Sequence, residues 1–295
     1  MTALRYYIEE VFEPTLLFGF LTGLIGVAAA GNIVRIAIVP GVLAILGVVL
    51  AQIGVNLIDD YVDFKSGIDK DTPKTKFSGG SKLVVSGKVG LDETLGIGIM
   101  ATAIAAVIGA FLVIAQPVLL PIVAIGAIAV FFYAKYITKI HFVAEPAVAI
   151  AFALIAVGCF IAAGGPVSGL SRQIFAFLPA GLLVASAIVV NGVPDRESDR
   201  KHGRRNAVAS LWSYKNIAAY YLAIQALAFI IILYGVVSHA LGFQFVAALF
   251  IAIPSAYVAA GIYAYKKPKT HEKYMAVHAI SSFLLYVLLI IAYLI

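Results

Sequence analysis

Nine stretches of this chain run almost without charge for about the length a helix needs to cross a bilayer. They cover approximately residues 14–31, 36–58, 92–115, 117–136, 142–164, 174–194, 216–238, 240–265 and 274–295. A hydrocarbon layer of roughly 30 Å, at about 1.5 Å of rise per residue, is spanned by about 20 apolar residues in a helix. Strands of a membrane barrel would be about ten residues long and alternate in polarity, and none of these segments does so. The expectation is an all-α membrane protein of nine transmembrane helices, a single integral-membrane domain over residues 1–295. With 62% of its residues hydrophobic, the composition excludes an ordinary soluble domain.

The first apolar stretch follows "MTALRYYIEEVFEP", whose three glutamates are unlike the basic leader of a signal peptide, so it reads as a retained span. Cys159 stands alone and inside a predicted helix, which makes it a packing residue. A net charge of +6 does not indicate nucleic acid here, because the basic residues follow the topology. Nineteen of the 21 Lys and Arg fall at the N-terminus or in the loops after even-numbered spans; only Arg35 and Arg172 fall on the other side. By the positive-inside rule, the N-terminus and the even loops are cytoplasmic and the C-terminus is outside.

Most connections are short, such as "AQP" and "SHALG", but stretches 59–91 and 195–215 are long, polar and on the cytoplasmic side. Eight of the fifteen acidic residues lie in them or at the helix ends that enter them, so both are expected to meet over one site. The first supplies Asn56, Asp59, Asp60, Asp63 and Asp69; on a helix, the carboxylates of 59, 60 and 63 share a face. The second supplies Asn191, Asp195 and Asp199, again one turn apart, followed by Gly203. Hard oxygen donors without Cys or His favour Mg²⁺ or Ca²⁺ over zinc, and EF-hand spacing is missing. Lysines and arginines interleaved with these aspartates suit a Mg²⁺-diphosphate. The plainer reading is a set of solvated helix ends with lipid-facing basic residues, and a single cluster would not exceed it. Asp71 reads as a solvated loop residue.

"DDYVDFKSGID" followed by "FSGGSKLVVSG", and later "NGVPDRESDRKHGRR", resemble the two aspartate-rich motifs of the UbiA-type intramembrane prenyltransferases. The resemblance covers the whole chain, and it implies a bundle around a central cavity open sideways to the bilayer. It also implies Mg²⁺-dependent transfer of an isoprenoid from an allylic prenyl diphosphate, geranyl or longer, to an aromatic or other lipid-precursor acceptor. The motif matches Asp60, Asp63, Asp69, Asp195 and Asp199; Asp59 stands where the family has asparagine, leaving Asp59 or Asn56 for that part. "YAKYITKIHFVAEP" keeps Tyr133 or Tyr136, Lys139 and Glu145 of the family pattern but lacks its prolines.

On this reading Asp59, Asp60, Asp63, Asp69, Asp195 and Asp199 hold two Mg²⁺ ions, and Lys139, Arg196, Arg200 and Lys201 assist the departing diphosphate. Lys82, after Gly79 and Gly80, belongs to a lid that also carries Lys74 and Lys76. Tyr61, Tyr133 and Tyr136 are aromatic candidates for shielding the isoprenoid cation. His141, His239, His271 and His278 receive no role. "DFKSGID" with "FSGGSK" is most similar to the menaquinone branch, in which a dihydroxynaphthoate is the acceptor. The archaeal branch acting on geranylgeranylglyceryl phosphate is the main rival, and an ion-coupled transporter is the alternative from another class. Transporter carboxylates, however, lie near the bilayer midplane rather than at helix ends.

Overall fold

The structure is a computed structural model describing residues 15–80, 82–133 and 135–295, together with residues 6, 8 and 11. Arg5 and the leader glutamates Glu9, Glu10 and Glu13 lie outside the described residues. Among the described residues every regular element is helical. The principal helices are α1 (Thr15–Gly31), α2 (Ile38–Ser66), α3 (Leu91–Ala115), α4 (Leu120–Phe132), α5 (Ala144–Ala162), α6 (Leu170–Gly192), α7 (Tyr214–Val237), α8 (Ala252–Tyr263) and α9 (Pro268–Leu294). Among the described residues, seven helical segments are long and apolar enough to cross a membrane: α2, α3, α5, Val167–Gly192, α7, Phe243–Tyr263 and α9. Two further apolar segments, α1 and Pro117–Phe132, are shorter. Seven of the nine predicted spans thus coincide with helical segments of spanning length, and the other two coincide with shorter apolar helices.

Each helix packs on the next in the chain and α9 returns to α1, which closes the bundle into a ring. Outward-facing side chains are apolar: Ile114 is 82% exposed and Ile253 75%, as suits a surface solvated by lipid. Inside, α5 is the hub. A Cβ on Gly181 of α6 would lie 2.0 Å from the Ala149 carbonyl oxygen, and one on Gly26 of α1 would lie 2.2 Å from that of Ala156. Only hydrogen at those two positions lets α6 and α1 approach the α5 backbone so closely. Buried tyrosines then tie α9 to α6. Tyr286 donates to the Ala180 carbonyl at 2.8 Å, and Tyr293 donates to Gln173 Oε1 at 2.6 Å.

α2 runs eight residues past its predicted end, so Asp59, Asp60 and Asp63 stand on a continuous helix rather than in a loop. Gly67, at φ +83°, stops it in the left-handed conformation that favours glycine. The segments after α2 and after α6 lie at the same end of the bundle. They touch through Thr72 and Ser198, whose hydroxyls are 3.0 Å apart, and through Asp71, 2.7 Å from both Lys201 and His202. Asp71 is therefore not simply solvated: it clasps the two segments.

Gly181→Ala should overpack the α5–α6 contact and cost about 1–3 kcal/mol, or roughly 2–4 °C per kcal/mol in the unfolding midpoint. Gly96→Ala in α3, where an added Cβ meets nothing within 4 Å, should leave the midpoint unchanged or slightly higher. Thermal unfolding of both variants in detergent checks this.

Candidate active site

The first half of the site is built on the last turns of α2 and the chain that folds back over them. After Gly67, the single turn Ile68–Asp71 delivers Asp69. Thr75 Oγ1 accepts from the backbone N–H of Phe77 and of Ser78, at 3.1 and 2.8 Å, which closes a tight turn. Gly79 and Gly80, both at positive φ, then lay the backbone against the acids: a Cβ on Gly80 would sit 3.5 Å from Asp60 Oδ1 and 3.7 Å from Asp69 Oδ1. Lys74 donates to the Gly80 carbonyl, and Lys82 donates to the Asp69 carbonyl with its ammonium 3.9 Å from that carboxylate.

The second half follows α6, which ends beyond Asn191. Asp195 precedes the short helix Arg196–Lys201, and the N–H of Asp199 donates to its carbonyl at 2.9 Å. Ser78 Oγ donates to Asp195 Oδ1 at 3.3 Å, joining the two halves directly. Asn206 donates to Asp199 Oδ2 at 2.7 Å. Gly203, at φ +79°, reverses the chain, and the Arg204 N–H returns to the Asp199 carbonyl at 2.8 Å. The Arg204 guanidinium consequently points back among the acids. It donates to both carboxylate oxygens of Asp63 and lies 3.6 Å from Asp59 and 3.7 Å from Asp199.

These residues enclose a cavity of about 300 Å³. All eight of the predicted Asp and Asn site residues line it: Asn56, Asp59, Asp60, Asp63, Asp69, Asn191, Asp195 and Asp199. Lys74, Lys76, Ser78 and Arg204 add donors, while Phe18, Phe77, Ala187, Met275 and Ala279 supply apolar wall. His278, given no role from sequence, also lines the cavity, with Nδ1 3.1 Å from the Tyr221 hydroxyl and Nε2 3.3 Å from Ser282 Oγ. It was missed because α9 returns to the site from the far end of the chain. Arg204 was missed because its approach depends on the turn at Gly203, not on helical spacing; the glycine beside an acidic helix was the available signal.

Other predicted residues lie elsewhere. Arg196 is buried but donates to the carbonyls of Val208 and Leu211, at 3.2 and 2.6 Å, and stacks over Tyr214. Arg200 donates to the carbonyls of Ala209 and Leu211 at 2.6 and 2.8 Å. Both brace the segment 207–211 instead of facing the cavity. Lys201 points outward to Asp71. Lys139 is exposed on a 3₁₀ turn, and Tyr136 is 49% exposed and stacked on Phe132. The backbone around Lys139 serves a different end: the Thr138 carbonyl accepts from the Arg205 N–H at 2.7 Å, and Glu145 Oε1 accepts from the Ala207 N–H at 2.8 Å. This connection steadies the second half of the site from α5.

The oxygen donors are of the type that suits a hard divalent cation. Among the described residues, however, no three acidic or His/Cys side chains stand close enough to form a metal cluster, and Arg204 occupies the space between Asp59, Asp63 and Asp199. Burial dominates the electrostatics of the site. Burial, with Asp199 nearby, pushes the Asp195 carboxyl up to about 8. Burial also raises Asp199, with Arg204 opposing it. Burial lowers Lys82, with Asp69 opposing that shift.

The sign of the pH dependence follows. Between its ordinary value of 3.8 and about 8, Asp195 keeps its proton when folded and loses it when unfolded. The unfolded state then binds fewer protons, so the cation-free protein should lose stability as pH rises through this window and level off above it. Thermal unfolding in chelator from pH 5 to 9 should show this decline, and Asp195→Asn should flatten it.

The sequence model of the UbiA prenyltransferase family matches residues 16–288. No functionally curated protein matches the chain. Among solved structures, a UbiA homolog from Aeropyrum pernix K1 in its apo form superposes with a TM-score of 0.72 at 19% identity, covering 94% of this chain and 97% of that one. A structure described for digeranylgeranylglyceryl phosphate synthase in membranes gives 0.69 at 19% identity, covering 99% of each chain. A UbiA homolog from Archaeoglobus fulgidus bound to GPP and Mg²⁺ gives 0.57 at 15% identity, covering 95% of this chain and 97% of that one. With the family profile running from the first apolar helix to the last, this chain belongs to the UbiA prenyltransferase family and is an integral-membrane prenyltransferase.

Proposed function

We propose that the protein transfers an isoprenoid chain, geranyl or longer, from an allylic prenyl diphosphate to a dihydroxynaphthoate, with two Mg²⁺ ions. The observation that carries this reading is the single chamber in which Asp59, Asp60, Asp63 and Asp69 from one part of the chain face Asp195 and Asp199 from another, next to apolar wall. Those six carboxylates would hold the cations once Arg204 gives way, and bound Mg²⁺ would supply positive charge to the departing diphosphate. Lys74, Lys76, Lys82 and Arg204 bind diphosphate oxygens, and Asn56 and Asn191 complete the polar wall. Phe18, Phe77 and Met275 keep water from the allylic cation while the acceptor ring attacks it, the ring's carboxylate leaving as carbon dioxide as aromaticity is restored. Lys139, Tyr136, Arg196, Arg200 and Lys201 stand outside the chamber and take no direct part.

All nine apolar helices cross the bilayer on this reading, with α1 and α4 as the short ones. The basic loops, and with them the mouth of the chamber, face the cytoplasm. The choice of acceptor is supported by the likeness of "DFKSGID" and "FSGGSK" to the menaquinone branch.

Purified protein given radiolabelled geranyl or longer prenyl diphosphate and acceptor should release diphosphate only with a divalent cation. Asp60→Ala and Asp195→Ala should each lower this by about a hundredfold or more, the scale of several kcal/mol of charge stabilisation. Uptake of unchanged label into vesicles would instead support a carrier. In an acceptor panel, dihydroxynaphthoate should yield a prenylated, decarboxylated product. Product formed solely from geranylgeranylglyceryl phosphate would move the assignment to lipid synthesis.

A further inference from the structure

Arg204 is the cavity residue least like its neighbours. Its guanidinium is charged and largely enclosed, with a side chain only 19% exposed, and it touches both halves of the site at once. On α2 one guanidinium nitrogen, Nη2, donates to both oxygens of Asp63 and approaches Asp59; on the other half Nη1 approaches Asp199. The backbone aims it there. Gly203 reverses the chain at positive φ, and the Arg204 N–H is fixed to the Asp199 carbonyl at 2.8 Å. Arg196 and Arg200, in contrast, spend their donors on the carbonyls of residues 208–211.

We propose that Arg204 is a built-in counter-ion that stands in for a divalent cation among Asp59, Asp63 and Asp199, and that it yields this place when cation and diphosphate bind. The inference rests on the prenyl-diphosphate reading above and deepens it. Carboxylates this close repel one another, and without a ligand the cluster is relieved by protonation, as at Asp195, or by a positive charge placed among them, as Arg204 is. A guanidinium serves because it is planar, permanently charged and able to present one nitrogen to Asp63 and the other to Asp199. The same donors suit a diphosphate oxygen, so displacement by a cation frees Arg204 to bind the substrate's leaving group without a large movement. Arg204 therefore opposes binding of the cation alone and favours binding of diphosphate, which makes the two ligands enter cooperatively.

The test uses the full-length protein in detergent, with Mn²⁺ followed by paramagnetic resonance and inorganic pyrophosphate added at saturating Mn²⁺. Arg204→Gln should bind Mn²⁺ alone about tenfold more tightly, because a competing and repelling charge is gone. It should bind pyrophosphate about tenfold more weakly, because a charge-assisted contact is lost. Opposite signs are the signature, since a merely structural lesion weakens both. Should Arg204→Gln fail to fold, Arg204→Lys, whose single ammonium cannot present separate nitrogens to the two halves, should shift both affinities in the same directions by a smaller factor. Folded variants in which both affinities fall, or neither changes, would overturn the role of Arg204 while leaving prenyl transfer intact. Wild-type protein that binds neither Mn²⁺ nor pyrophosphate and releases no diphosphate from geranyl diphosphate would overturn both.

Discussion

Six aspartates face one chamber, and the cost of holding their charges together in a partly enclosed site is the constraint the rest of the structure answers to. In water such a cluster is tolerated; in a partly enclosed cavity each uncompensated charge is costly. The protein meets this in two ways. Arg204 is inserted between the halves, and the Asp195 carboxyl is held protonated to about 8. Both leave a site with more acid than base, which is the condition for taking up a divalent cation with an anionic substrate.

Placing that cluster requires helices that approach closely and chain reversals at defined points. Gly26 and Gly181 let α1 and α6 lie against the α5 backbone, which fixes the frame. Gly67, Gly80 and Gly203, all at positive φ, then turn the chain where the carboxylates must converge. The connection from α4 to α5 contributes by backbone rather than by charge, through Thr138 and Glu145. Arg196 and Arg200 likewise act on structure, bracing the segment that follows the second acidic helix.

Much of this was legible in the sequence, because hydrophobic length and acidic spacing are one-dimensional signals. The apolar stretches mark the helices, and Asp59, Asp60 and Asp63 share a face because helix geometry dictates it. The meeting of two distant loops followed from the echo of one motif in the other. What was not legible depends on direction. Nothing in the spacing distinguishes Arg204, aimed inward by Gly203, from Arg200, aimed at the carbonyls of Ala209 and Leu211. His278 reaches the chamber only because α9 packs against α6 and α1, a long-range contact with no local signature. Lys139 followed a motif position, yet the shorter turn at Ile137–Lys139 leaves its side chain exposed.

Calorimetric binding of a non-reactive geranyl thiodiphosphate, with and without Mg²⁺, asks whether both acidic halves act on one cation-bridged diphosphate head group. Binding should require the cation and be lost to a similar degree in Asp63→Asn and Asp199→Asn. Binding that persists in chelator, or that survives the loss of either half, would refute the shared site.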